Sequence, residues 1–193
     1  MRSRRAPRPG SVDGMTTSDA ASLVDRLTAL VPDFPKPGIL FRDVTPVFSD
    51  ADAFASVTAA LSEPFDGSFT AVAGIEARGF ALAGGIAIEQ GVGVVTVRKA
   101  GKLPGEVLSE SYALEYGEAT LEVRPGQLPQ GARVLVVDDV LATGGTALAT
   151  VTLLQRAGYE VVGIAVLLEL DGLGGRDRLA STVPVHALTS APA

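Results

Sequence analysis

Apolar residues recur along the chain in two rhythms, and the switch between them divides it. Near the start, Leu23, Val24, Leu27, Leu30 and Val31 follow a 3.6-residue period, which predicts an amphipathic helix with Ser18 as its cap. Pro32 and the Asp-Phe-Pro-Lys-Pro-Gly run behind it end that helix, because proline fixes φ and pushes its predecessor towards extended backbone. Ile39, Leu40 and Phe41 follow in a loop, and Phe54, Val57 and Leu61 mark a second helix capped by Ser49 or Asp50. Beyond Pro64 the rhythm changes. Short apolar runs at 70–74, 92–97, 134–137 and 161–168 alternate with helical stretches at 79–90 and 146–157. Strands that are apolar on both faces and separated by helices predict an α/β fold, a central parallel sheet with helices on both faces.

Two segments break the alternation. Residues 99–111 carry glycine, proline and charge without a period and are long enough for a mobile lid. Residues 112–123 hold two short β-prone pieces around Gly117, which predicts a hairpin. The N-terminus, with its Arg, Pro, Ser and Gly, reads as a disordered tail over 1–17, leaving a single domain over 18–193. Met15 is a second candidate start, which would make the first fourteen residues an upstream extension.

Composition narrows the classes. A length of 193 residues with 47% apolar content suits one domain with its own core. The absence of cysteine excludes disulfides, thiolate nucleophiles and zinc ribbons. The single histidine, His186, excludes a two-histidine zinc site and reads as structural. A net charge of -6 is the wrong sign for a nucleic-acid partner. The charge is uneven: Arg2, Arg4, Arg5 and Arg8 against Asp13 leave +3 on the first fourteen residues and so -9 on the rest. No apolar run of about seven residues follows that basic start, as a signal peptide requires, and none reaches the roughly eighteen of a membrane span. The expectation is a cytoplasmic protein with no membrane partner.

The chemistry concentrates in residues 134–146, Val-Leu-Val-Val-Asp-Asp-Val-Leu-Ala-Thr-Gly-Gly-Thr. An aliphatic strand brings Asp138 and Asp139 to the edge where open parallel sheets bind their ligands. The turn Ala142, Thr143, Gly144, Gly145 and Thr146 then offers backbone N–H groups, two hydroxyls and a helix N-terminus, a set that favours a dianionic phosphate. The macrodipole alone is worth about 0.3–1 kcal/mol, and several convergent N–H bonds to a charged group, each about 1.5–3 kcal/mol, outweigh it. Acids beside a phosphate cradle need something between them: hydroxyls, a cation, or both. A ribose 5-phosphate supplies it, with phosphate on the loop and the 2- and 3-hydroxyls towards the carboxylates.

That segment resembles the phosphoribosyl-diphosphate binding motif of type I phosphoribosyltransferases. Asp33-Phe-Pro-Lys-Pro-Gly-Ile-Leu-Phe-Arg-Asp43, Glu76-Ala-Arg-Gly-Phe80, Val97-Arg-Lys-Ala-Gly-Lys-Leu-Pro104 and Leu114-Glu-Tyr-Gly117 narrow the resemblance to the adenine-specific branch, over about residues 33–179. The resemblance implies the type I phosphoribosyltransferase fold with a small N-terminal hood at about 32–48, and the reaction of adenine with 5-phosphoribosyl 1-diphosphate to give AMP and diphosphate in purine salvage. It implies a cis peptide at Glu76–Ala77, a diphosphate site of Glu76, Ala77, Arg78, Arg98, Lys99 and Lys102, and adenine stacked on Phe41 and read by the backbone of Leu40 and Arg42. Glu115 becomes the proton handler, with Asp138 and Asp139 also catalytic, and Tyr116 a gate of the ribose site. Mg²⁺ bridging diphosphate and ribose oxygens near Asp138 and Asp139 is the implied cofactor, and a homodimer the implied assembly. Three alternatives remain at this point. One is an enzyme of the same fold acting on hypoxanthine, guanine or xanthine. Another is a non-catalytic sensor of the diphosphate donor, for which residues 1–31 offer too little to read DNA. The third is a receiver-like phosphate switch, which leaves the turn at 142–146 unexplained.

Overall fold

The computed structural model describes residues 16–113 and 117–193. Helix α1 (Thr17–Leu27) starts two residues earlier than its pattern indicates. Thr16, not Ser18, is the cap, in a reciprocal capping box with Asp19, so residues 16 and 17 belong to the folded domain rather than to the tail. At the other end the Thr28 hydroxyl donates to the Val24 carbonyl (2.7 Å) and the helix stops. Leu30 and Val31 therefore leave it, although their spacing fits its period. They lie in β1 (Ala29–Pro32), antiparallel to β2 (Leu40–Asp43), with 55% and 40% of their surfaces exposed. Between the two strands the Asp33 carboxylate accepts from the Gly38 amide (2.7 Å) and closes the proline-rich turn. Helix α2 (Thr45–Ser49) follows, and Asp50 then caps α3 (Ala51–Ser62) through the amides of Asp52 and Ala53.

Seven further strands form one sheet. They are β3 (Ala71–Ile75), β4 (Gly93–Lys99), β5 (Leu108–Ala113), β6 (Glu118–Val123), β7 (Arg133–Leu141), β8 (Glu160–Asp171) and β9 (Val185–Pro192), in the order β5-β6-β4-β3-β7-β8-β9. The five strands from β4 to β9 in that order are parallel, and the β5–β6 hairpin extends them antiparallel along β4. The sequence explains the two-sided burial. Along β7, Val134 and Val136 face one core with Leu153 and Leu154 of α5 (Gly145–Arg156), while Leu135 and Val137 face a second with Leu82 and Ile86 of α4 (Gly79–Gln90) and Leu61 of α3. Side chains alternate with period 2, so a strand apolar at every position must be covered on both faces.

Two expected boundaries move. The hairpin starts at Leu108, not at residue 112, because Leu108, Glu110 and Tyr112 turn towards the protein while Ser109, Ser111 and Ala113 stay exposed. The irregular stretch behind β4 therefore spans 100–107, shorter than the expected 99–111. Helix α6 (Gly175–Leu179) and edge strand β9 had no counterpart in the pattern.

Candidate active site

β3 and β7 are parallel neighbours, with Gly74 opposite Val137, so the turns that follow them emerge side by side. The turn after β3 contains the expected cis peptide, Glu76–Ala77. α4 then starts hard against β7: a Cβ on Gly79 would lie 2.6 Å from the Val137 carbonyl oxygen and 3.3 Å from Asp138 Oδ1. This contact brings Arg78 to the acidic pair.

Asp138 and Asp139 lie within β7, which runs on to Leu141, so neighbouring side chains leave on opposite faces of the sheet. Asp138 lines a cavity of about 90 Å³ with Thr143, Gly144, Gly145 and Thr146. Although the residue keeps some surface, its carboxyl is hemmed in by protein, and burial first, then the negative charge of Asp139, pushes its pKa well above the usual carboxylate value. The Asp139 amide donates to Asp138 Oδ1 (2.9 Å). Asp139, buried, turns towards Arg78, and Nη1 and Oδ2 stand 2.8 Å apart as an ion pair. The two atoms are out of line for a hydrogen bond, and among the described residues neither has another partner. The Arg78 guanidinium carbon lies 5.8 Å from the centre of the Phe41 ring, which meets Phe34 edge to face at 5.1 Å. Phe41, Arg78 and Asp139, distant in sequence, thus form one continuous contact, and Arg42 beside them donates to the Pro192 carbonyl (3.2 Å). Leu40, 46% exposed, points away from the cores.

The loop 142–144 turns through Gly144, whose φ of +75° is open to glycine at little cost, into α5. No side chain caps α5, so its first-turn amides keep their donors for a ligand. The Thr146 hydroxyl donates to Tyr112 Oη (3.1 Å).

The cations sort into two groups. Arg98 Nε meets Glu76 Oε2 at 3.2 Å, the Lys99 amide donates to the same oxygen (3.1 Å), and Arg98 Nη1 donates to the Lys102 carbonyl (3.2 Å). Burial works to raise the Glu76 pKa, but the Lys99 amide and Arg98 outweigh it and hold the carboxyl below its usual value. Glu76 thus ties the turn after β3 to the end of β4, and its carboxylate is already paired. Lys99 and Lys102 keep exposed side chains with no close ion pair among the described residues, although the Lys102 charge also acts on Glu76. Glu115 and Tyr116 lie outside the described residues.

Sequence reasoning did not single out Tyr112, Glu122 or Gly175. Buried Glu122 accepts from the Gly101 amide (3.0 Å) and fixes the start of the 100–107 stretch. Gly175 leaves room for the Ala142 carbonyl beneath the loop. Only the glycine pair Gly174-Gly175 hinted at this in the sequence.

Residues 50–188 match the phosphoribosyl transferase domain. The chain belongs to the phosphoribosyltransferase family. An adenine phosphoribosyltransferase of Clavibacter sepedonicus is 57% identical over 187 residues, 97% of each chain. That of Clavibacter michiganensis subsp. michiganensis is 61% identical over 166 residues, 86% of this chain and 94% of the relative. Among solved structures, adenine phosphoribosyltransferase from Rhodothermus marinus superposes with a TM-score of 0.83 at 50% identity, covering 89% of this chain and 98% of the other. The Saccharomyces cerevisiae enzyme, solved with an imino-altritol bisphosphate and adenine, gives 0.83 at 36% identity, covering 89% and 99%. In this phosphoribosyltransferase the acidic strand end and the uncapped helix therefore sit on the family's own sheet, and the transferred group is a pentosyl group.

Proposed function

We propose that this phosphoribosyltransferase joins adenine to the sugar of 5-phosphoribosyl 1-diphosphate, giving AMP and diphosphate in purine salvage. The observation that carries the reading is the contact running from Phe41 through Arg78 to Asp139, next to the uncapped α5 N-terminus. A flat ring, a cation and a carboxylate follow one another there, which supports a single nucleotide site. The 5-phosphate takes the amides and hydroxyls of 142–146. The ribose hydroxyls take the Asp138–Asp139 edge, where carboxyl oxygens accept from them. Adenine stacks on Phe41, an arrangement worth about 0.5–1.5 kcal/mol beyond area burial, and the Leu40 and Arg42 backbone pairs with its edge. A pocket built to pair a 6-amino group leaves groups unpaired against a 6-oxo base and so rejects it.

In the reaction the bond from the sugar's anomeric carbon to the diphosphate oxygen breaks and the bond to adenine N9 forms. The N9 proton leaves to a base, a role that family resemblance gives to Glu115. Arg78, Lys99 and Lys102 take up the charge gathering on the departing diphosphate, while Arg98, joined to Glu76, shapes the turn that receives it. Arg78 must exchange Asp139 for the diphosphate, which frees the carboxylate for the ribose. The 100–107 stretch excludes water over the activated sugar.

Mg²⁺ fits this donor set. The described residues contain no cluster of three metal-binding side chains, and two hard carboxylates suit an ion held mainly by substrate oxygens and water. Asp138 and Asp139 would hold it, and when bound it supplies positive charge to the diphosphate and ribose oxygens. A homodimer and a cytoplasmic location belong to the same proposal; the described residues contain no helix long and apolar enough to cross a membrane. The test is turnover with the donor, Mg²⁺ and a panel of adenine, hypoxanthine, guanine and xanthine, products separated by chromatography. AMP should dominate, and IMP or GMP forming as fast would overturn the adenine assignment.

A further inference from the structure

The 142–146 loop contains no Lys or Arg, and Asp138 and Asp139 lie just before it. A dianion seated there meets neutral donors and neighbouring acids, so a cation from elsewhere in the fold would change its affinity. Outside the loop the structure offers one. Arg178, in the last turn of α6, reaches back over α5 so that its Nη1 would stand 3.3 Å from a Cβ on Gly145. On the same glycine the Tyr112 ring approaches equally closely, at 3.3 Å. Arg178, Tyr112, Thr143, Gly145, Thr152 and Glu110 line a groove of about 400 Å³ along the outer side of the phosphate loop. Its acid is already matched: Glu110 Oε2 stands 2.6 Å from Arg156 Nη1. The other arginine of α6, Arg176, is held by Glu169 and by the Val185 carbonyl. The Arg178 guanidinium has neither an ion-pair nor a hydrogen-bond partner among the described residues. Among the described residues the groove is thus left with one uncompensated positive charge, and that charge lies at the shoulder of the loop.

We infer that Arg178 is the cation of the 5-phosphate site. It reaches across Gly145 to a phosphate oxygen that the loop amides leave free, and glycine at 145 gives the guanidinium room to do so. The inference rests on the reading of 142–146 as the phosphate loop. Its role is binding, not chemistry: Arg178 discriminates in favour of sugars carrying a terminal phosphate and acts equally on donor and product.

The experiment compares wild type with Arg178→Gln and Arg178→Lys. Titration calorimetry reads ribose 5-phosphate and AMP, steady-state kinetics reads the donor and adenine, and melting checks the fold. A charge-assisted contact to phosphate, discounted for an exposed arginine, corresponds to roughly five- to twentyfold. Arg178→Gln should weaken ribose 5-phosphate and AMP and raise the donor KM by that factor, with kcat, the adenine KM and Tm unmoved. Arg178→Lys should recover part of the loss, and the difference between wild type and Arg178→Gln should shrink as salt rises. Wild-type affinity for ribose 5-phosphate in Arg178→Gln overturns the inference. So does an equal rise in the donor and adenine KM, which marks a structural role. A chain that binds ribose 5-phosphate but forms no nucleotide with any base of the panel would refute the proposed reaction, while the calorimetric comparison would still decide the role of Arg178.

Discussion

Gly79→Ala probes the contact on which the site is built. The added Cβ would sit 2.6 Å from the Val137 carbonyl oxygen, whereas carbon and carbonyl oxygen rest about 3.3–3.6 Å apart. At least roughly 0.7 Å must be found, and neither side can yield by rotating a side chain, since one is the first residue of α4 and the other the β7 backbone. Overpacking of this kind costs about 1–3 kcal/mol. For a chain of this size each kcal/mol lowers Tm by about 2–4 °C, so a fall of about 2–12 °C is expected. The displacement falls on the Arg78 and Asp138 side of the site. A misplacement of about 1 Å can cost about a hundredfold in rate, so kcat/KM for the donor should fall at least tenfold. Gly84→Ala in the same helix is the control. Its Cβ would meet nothing within 4 Å, so the gain in helix propensity, about 0.5–1 kcal/mol, should raise Tm slightly and leave kinetics alone. The assays are thermal melting and steady-state kinetics on both variants. If Gly79→Ala melts with wild type and keeps its donor kcat/KM, the close packing of α4 on β7 does not position the site.

Asp139→Asn removes the charge that Arg78 faces and that the ribose would meet. Losing a hydrogen bond to a charged group costs about 1.5–3 kcal/mol, so kcat/KM should fall about 10- to 150-fold in a folded variant, and unchanged kinetics would count against the acidic pair. Asp138 holds its proton to higher pH in the folded chain than in the unfolded one, so unfolding releases a proton between the usual carboxylate pKa and the raised one, and stability falls as pH climbs through that window. Asp138→Asn should flatten this slope and raise Tm at neutral pH, by about 2–4 °C for each kcal/mol relieved; melting curves taken from acid to neutral pH check it, and an identical slope in both proteins would refute it. Glu115→Ala should lower kcat by about 10²–10⁴ if the residue handles the N9 proton, whereas a rise in KM alone would assign it to binding.

The sequence conveyed the sheet centre because β3 and the central runs of β7 and β8 are apolar on both faces, a pattern with few other solutions. It conveyed the turn at 142–144 and the helix start behind it because glycines and hydroxyls are contiguous there, directly after the acids of β7. It misled where a local period survived a change of structure. Leu30 and Val31 continue the face of α1 by spacing alone, but Thr28 turns its hydroxyl onto the helix and the chain leaves as a strand. β9 was illegible because Ala187, Thr189, Ser190 and Ala191 are small residues on an edge strand, ordered by pairing with β8 rather than by their own preference. The link from Phe41 to Arg78 to Asp139 has no local signature, since the topology alone brings its members together. Arg178 was hidden for the same reason: only the packing of α6 against α5 shows which arginine of Gly-Arg-Asp-Arg-Leu reaches the loop.

A crystal structure of the chain with AMP tests the central claim most directly. The account predicts the 5-phosphate on the amides of 142–146, the ribose hydroxyls at the Asp138–Asp139 edge and adenine against Phe41. A phosphate bound away from that loop, or a ribose that leaves both carboxylates untouched, would contradict it.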